Sequence, residues 1–206
     1  MSDLDQAREH LKFLEEGNQR FVAGEMRHPN QSPQRRERLV DRQGPMAVVV
    51  ACADSRVTPE IVFDVGLGDL FVVRVAGNVV DELVIGSVEY ALTALSTPLV
   101  VVLGHTNCGA VKAALERQRR YRFLSFSLSS LVTAIQPAID RAREGSKADD
   151  DVLGLAVRHN ATIMAERLVE RSSIAQHLVR RRQLLVLPAV YDLRTGEVEW
   201  LDPVGT

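Results

Sequence analysis

The sequence predicts an α/β protein: a Rossmann-like central parallel β-sheet with an additional edge strand, flanked by helices and preceded by an N-terminal helical arm. Three observations lead there. β-branched runs of strand length, such as MAVVVAC at 46–52, are apolar throughout, as strands covered on both faces are. Segments with apolar residues at helical spacing lie between these runs. Strand and helix signals then alternate, which is the pattern of right-handed βαβ units. A chain of 206 residues, 46% hydrophobic and 25% charged, suffices for one domain with a sizeable core.

The elements follow in order. Residues 3–23 read as a helix, with Leu11, Leu14, Phe21 and Val22 on a charged background and Gly24 as its stop. RHPNQSPQRRERL follows as a polar, proline-containing arm. The strand at 46–52 comes next, then TPEIVFDVG as a helix with Thr58 as N-cap, Pro59 at the first helical position and Glu60 in the first turn. DLFVVRV (69–75) is a strand, 82–95 a helix, and PLVVVLG (98–104) a third strand. An irregular connection near RYRFLSFSLSS leads to helices around 129–144, 151–170 and 172–181. LLVLPAVYDL (184–193), the turn RTGE and VEWL close the chain as a strand and hairpin, with Pro188 suggesting an edge position.

Charge narrows the function classes. Lys and Arg total 25 against 27 Asp and Glu, a net charge of −2, so no global basic field favours nucleic acid. The charged N-terminal stretch lacks the apolar core of a signal peptide, and no run reaches membrane-spanning length, so a cytoplasmic protein without a membrane partner is expected. The RQRRYRF stretch reads as a solvated helix end rather than an RNA platform. GHTNCGAVK has the glycine spacing of a phosphate loop, but Ala110 and Val111 stand where Lys and Ser or Thr would be needed.

The chemistry-bearing residues gather at two strand ends. Cys52 and Asp54 follow the first strand, with Arg56 two residues on; His105 and Cys108 follow the third as H-x-x-C. In an open α/β sheet ligands collect outside the carboxyl ends of strands. Two thiolates, an imidazole and a carboxylate form a tetrahedral donor set suited to Zn²⁺. Arg56 can pair with Asp54 and keep it ionised. His10, His28, His159 and His177 have no matching partner and are assigned no role.

CADSRV followed about fifty residues later by GHTNCGAV resembles the β-class carbonic anhydrases, and LEEGNQRFVAG, GDLFVVRVAGN, GSVEYAL and VYDLRTGEVEWL extend the likeness over most of the chain. The resemblance implies reversible hydration of CO₂ to bicarbonate and a proton. It implies one Zn²⁺ per subunit held by Cys52, His105 and Cys108, with zinc-bound hydroxide oriented by an Asp54–Arg56 dyad, and Asp54 as fourth ligand in a closed state. Gln43, Phe71, Ala76, Tyr90 and Gly109 match the family's substrate-binding positions. It also implies a homodimer or higher homo-oligomer, residues 1–45 contributing to dimerisation and 46–206 forming the zinc-binding catalytic part of a single domain. The bicarbonate-regulated members have a tryptophan where this chain has Val49, although Arg74 matches another of their residues. The same ligand set would serve a carbonyl sulfide or carbon disulfide hydrolase, or a non-catalytic zinc module.

Overall fold

The computed structural model describes residues 2–116, 125–145 and 151–205. Helix α1 (Asp3–Ala23) opens on a capping box at Ser2 and ends on Gly24 in the left-handed region at φ 72°, the stop that the sequence predicts. The arm contains a short helix that the sequence reading missed, α2 (Pro33–Arg38), begun by the Ser32 side chain on the Arg35 N–H and by Pro33 in the first turn. Then come β1 (Ala47–Ala51), α3 (Pro59–Val62), β2 (Leu70–Arg74), a 3₁₀ turn at Ala76–Asn78, α4 (Glu82–Ala94), β3 (Leu99–His105) and α5 (Gly109–Leu115). α6 (Phe126–Gly145), α7 (Val152–Arg171), α8 (Ser173–Arg180), β4 (Leu185–Tyr191) and β5 (Val198–Trp200) complete the described elements. RQRRYRF lies outside the described residues.

Among the described residues the sheet has five strands in the order β2-β1-β3-β4-β5, parallel except for the antiparallel β5. Strand alternation divides the core between its two faces. Val48, Val50, Val100 and Val102 face a cluster completed by α4 to α7, whereas Ala47, Val49, Leu99 and Val101 face Leu14 of α1 and Phe63. Both faces are covered, which is why these strands carry no polar alternation.

Two expectations need correction. β4 is internal, not an edge strand. Pro188 is tolerated there because its carbonyl faces the hairpin strand, accepting the Leu201 N–H at 3.0 Å just beyond the last β5 pair, Ala189 with Trp200. Its missing N–H thus falls where the three-residue β5 has already ended. The TPEIVFDVG helix is only four residues long, and Thr58 makes no side-chain cap bond. The chain turns out of it through Asp64 at φ 44°.

Asp64 explains that turn. Its side chain is wholly buried and accepts the Arg20 Nε–H at 2.7 Å, the Arg27 N–H at 3.0 Å and the His28 N–H at 2.9 Å, fastening the start of the arm to its own chain. Burial would raise its pKa, but the Arg27 N–H, the Arg20 guanidinium and the His28 N–H outweigh burial and hold it below the ordinary carboxylate value. A carboxyl with a depressed folded pKa stabilises fully above its unfolded pKa, about 3.9, and loses that contribution as pH falls through the folded value. Asp64→Asn is therefore expected to lower unfolding free energy at pH 7 by about 3 kcal/mol, leaving Arg20 without its buried partner. The deficit relative to the parent should shrink below about pH 4, as read by urea denaturation at each pH.

Candidate metal centre

Parallel pairing brings two loops to one end of the sheet. Ala51 is paired with Leu103 in the β1–β3 ladder, so Cys52 directly after β1 and His105 at the end of β3 emerge side by side, with Cys108 one loop further on. Nδ1 or Nε2 of His105 and the two Sγ atoms all lie within 4.8 Å of one another. All three residues are buried, at 4%, 0% and 1% exposure for Cys52, His105 and Cys108.

Three features of this trio fit a tetrahedral metal. The sulfurs stand 4.0 Å apart, close to the spacing of about 3.8 Å that two thiolates about 2.3 Å from one zinc ion would have and too far for a disulfide. His105 Nδ1 lies 2.9 Å from the Thr106 carbonyl, which can only accept, so Nδ1 carries the proton. Its Nε2 is then a lone-pair donor, buried and without a hydrogen-bond partner among the described residues, as expected of a metal ligand. The thiols are electrostatically unequal. The Cys108 hydrogen bond, with smaller contributions from His105 and from the Gly77 N–H at 3.2 Å, outweighs burial and holds the Cys52 pKa far below the ordinary thiol range, while the same bond and burial push Cys108 up. One proton is shared between two sulfurs, and a cation that replaces it relieves both.

Asp54 lies beside the trio without joining it. Arg56 grips the carboxylate in bidentate fashion, Nε to Oδ1 at 2.9 Å and Nη2 to Oδ2 at 2.8 Å, and the Arg56 backbone N–H adds a third bond at 3.0 Å. That grip holds the Asp54 carboxyl well below the usual carboxylate range. Oδ2 is 3.8 Å from His105 Nε2, so the fixed carboxylate faces the metal position. Arg74, at the end of β2, donates to the carbonyls of Cys52 at 3.1 Å and Asp54 at 2.6 Å, pinning the turn that carries both.

The remaining sequence-predicted positions fall into two groups. Ala76 opens the turn whose Gly77 N–H reaches Cys52, and Gly109 follows Cys108, exposed and with nothing within 4 Å of where a Cβ would stand. Gln43, Phe71 and Tyr90 gather elsewhere. Gln43 and Tyr90 line one surface cavity of about 760 Å³ between the arm and α4, and the Tyr90 ring lies 6.1 Å from that of Phe71. Phe71 pairs with Val48, four residues before Cys52, which is about 13 Å along the strand. Gln43 precedes β1, whereas Cys52 follows it. Within one chain this second group is therefore remote from the trio. Sequence reasoning missed the Gly77 N–H, because a backbone donor leaves no side-chain signature.

Comparison with known proteins places this arrangement. A family model described as carbonic anhydrase matches residues 47–198. The chain is 43% identical to a carbonic anhydrase of Mycolicibacterium smegmatis, covering 94% of this chain and 93% of that one, and 42% identical to carbonic anhydrase 2 of Mycobacterium tuberculosis, covering 94% and 92%. Among solved structures it is similar to the β-carbonic anhydrase CcaA, with a TM-score of 0.74 and 27% identity over 94% of this chain and 88% of that one. A model spanning most of the sheet, and relatives alike over nearly the whole length, lead to one conclusion: the chain belongs to the carbonic anhydrase family, in its β class.

Proposed function

We propose that the protein hydrates CO₂ reversibly to bicarbonate and a proton, with Cys52, His105 and Cys108 holding one Zn²⁺ per chain. The single observation that carries this reading is the pairing beside the trio: an ionised Asp54, clamped by Arg56, turned towards the metal position. When bound, Zn²⁺ lowers the pKa of a water towards about 7 and so supplies hydroxide at neutral pH. A carboxylate accepts hydrogen bonds and donates none, so Asp54 aligns a hydroxyl and turns away an anion that has no proton. Arg56 keeps Asp54 engaged and away from the fourth ligand position, which supports an open site. A purely structural zinc module gives no reason for a clamped carboxylate at that place. No helix among the described residues is long and apolar enough to cross a membrane.

The second group of residues supports a site completed by a homodimer. CO₂ is apolar and needs a dry wall with one amide to orient it. Phe71, Tyr90 and Gln43 offer such a wall, yet lie a strand length from their own trio. They serve the site of a second copy, while Ala76 and Gly109 serve their own; residues 1–45 contribute Gln43 to that exchange. Gln43→Ala is expected to lower kcat/KM about tenfold, the value of one hydrogen bond, and Cys52→Ala to lose activity. Mixed dimers of the two variants should recover a working site, since the metal-competent chain would receive Gln43 from the other. Recovery absent from a verified heterodimer would place Gln43 in its own site.

The function itself is tested by stopped-flow CO₂ hydration across pH 6 to 9, with sulfide release from carbonyl sulfide measured on the same preparation. CO₂ hydration should dominate and rise with pH. Sulfide release without CO₂ hydration would assign the site to the sulfur analogue.

A further inference from the structure

Among the buried amides outside the site described so far, Asn160 reaches towards it. Asn160 lies in the middle of α7, on a face otherwise formed by Ala156, Val157, Ala161 and Met164, and is 1% exposed. Its Nδ2 donates to the Gly77 carbonyl at 2.8 Å across 83 residues of sequence, and its Oδ1 finds no hydrogen-bond partner among the described residues. A polar group buried without a partner costs about 1–3 kcal/mol, and the unpaired Oδ1 is set against the bond that Nδ2 makes to the Gly77 carbonyl. Removing the Asn160 amide would leave the Gly77 carbonyl without this donor.

Gly77 connects that bond to the metal centre. Gly77 and Asn78 stand consecutively in the left-handed region, at φ 68° and 44°, forming a tight turn after β2. A Cβ at Gly77 would lie 2.8 Å from Ile135 Cδ1 and 3.1 Å from Ala110 Cβ, so α5 and α6 close on the turn from the other side. The Gly77 N–H points at Cys52 Sγ, at 3.2 Å. Holding the Gly77 carbonyl fixes the turn, and the turn aims the N–H at sulfur.

We infer that Asn160 is a positioning residue for the metal centre: it holds the Gly77 turn so that the Gly77 N–H stays on the Cys52 sulfur and sets both the orientation and the donor strength of that ligand. The inference rests on the reading of Cys52 as a metal ligand. Groups that orient first ligands from outside typically change metal affinity 10- to 100-fold when removed. A hydrogen bond to a thiolate also stabilises its lone pairs, so losing the bond moves thiolate-to-metal charge transfer to lower energy.

The test uses the full-length protein loaded with Co²⁺, followed by zinc affinity from chelator competition. Asn160→Leu is expected to shift the near-ultraviolet thiolate-to-cobalt band to longer wavelength and to weaken zinc binding about tenfold. Leu168→Ala, a cavity variant of a fully buried residue eight positions along the same helix, should lower the melting temperature but move neither the band nor the affinity. An unshifted band and parental affinity in Asn160→Leu overturn the inference, as does an equal effect of Leu168→Ala. Should Asn160→Leu not fold, Asn160→Ala is read in the same way. With ¹¹³Cd in the unmodified protein, coupling between the metal and the Gly77 amide proton is expected, and its absence overturns the inference without any variant. A parent protein that binds neither Co²⁺ nor Zn²⁺ overturns the metal reading itself, whereas a metal-binding parent with an unaffected Asn160→Leu overturns this inference alone.

Discussion

Cys108→Ala should lose zinc and carbonic anhydrase activity together. Zinc held by small protein sites is bound by about 10–16 kcal/mol, so each of three protein ligands carries about 4 kcal/mol, or about 10³-fold in affinity. With Cys108 gone, only Cys52 and His105 of the trio remain to hold a metal. Cys108 is 1% exposed, and alanine, smaller by one sulfur atom, should preserve the fold. The expected result is a normal circular dichroism spectrum, no zinc retained after dialysis and CO₂ hydration at the uncatalysed rate. Zinc retained at one per chain with activity intact would remove Cys108 from the ligand set.

Asp54→Asn is expected to keep the metal and lose the rate. The amide preserves volume but cannot accept from Arg56 on both oxygens, so the clamp at 2.8 and 2.9 Å opens. It also presents an N–H₂ that competes for any orientation, where the carboxylate could only accept. A positioned proton-handling group contributes about 10²- to 10⁴-fold, and kcat should fall by at least about 10² while zinc content is unchanged. Arg56→Lys removes the fork but not the charge, and should lie between the parent and Asp54→Asn. A kcat within twofold of the parent for Asp54→Asn would show that orientation of the nucleophile does not depend on the dyad.

The contrast between these sites and the rest of the molecule shows where the sequence speaks. β1 and β3 were readable because valine runs buried on both faces have no other explanation, and their ends carry Cys52, Asp54, His105 and Cys108. The Asp54–Arg56 pair was readable because a separation of two residues at a strand end leaves little freedom. Pro188 misled because edge position follows from which neighbour the missing N–H faces, and that depends on where β5 stops. The helix after Thr58 came out short because Asp64 recruits Arg20 and the arm, contacts that local propensity does not encode. Asn160 and Gly77 were invisible for the same reason: one is a polar residue in a helix and the other a glycine, and only the tertiary fold brings them to Cys52. Gln43, Phe71 and Tyr90 were legible as a resemblance, but their separation from the trio appears only once the register of β1 and β2 is known.

The central claim, a zinc-dependent carbonic anhydrase built on Cys52, His105 and Cys108, is tested most directly by titrating metal-stripped protein with Zn²⁺ while following CO₂ hydration. Activity should rise in proportion to bound zinc and reach its plateau at one ion per chain. Full activity in the stripped protein, or a plateau of bound zinc without CO₂ hydration, would contradict it.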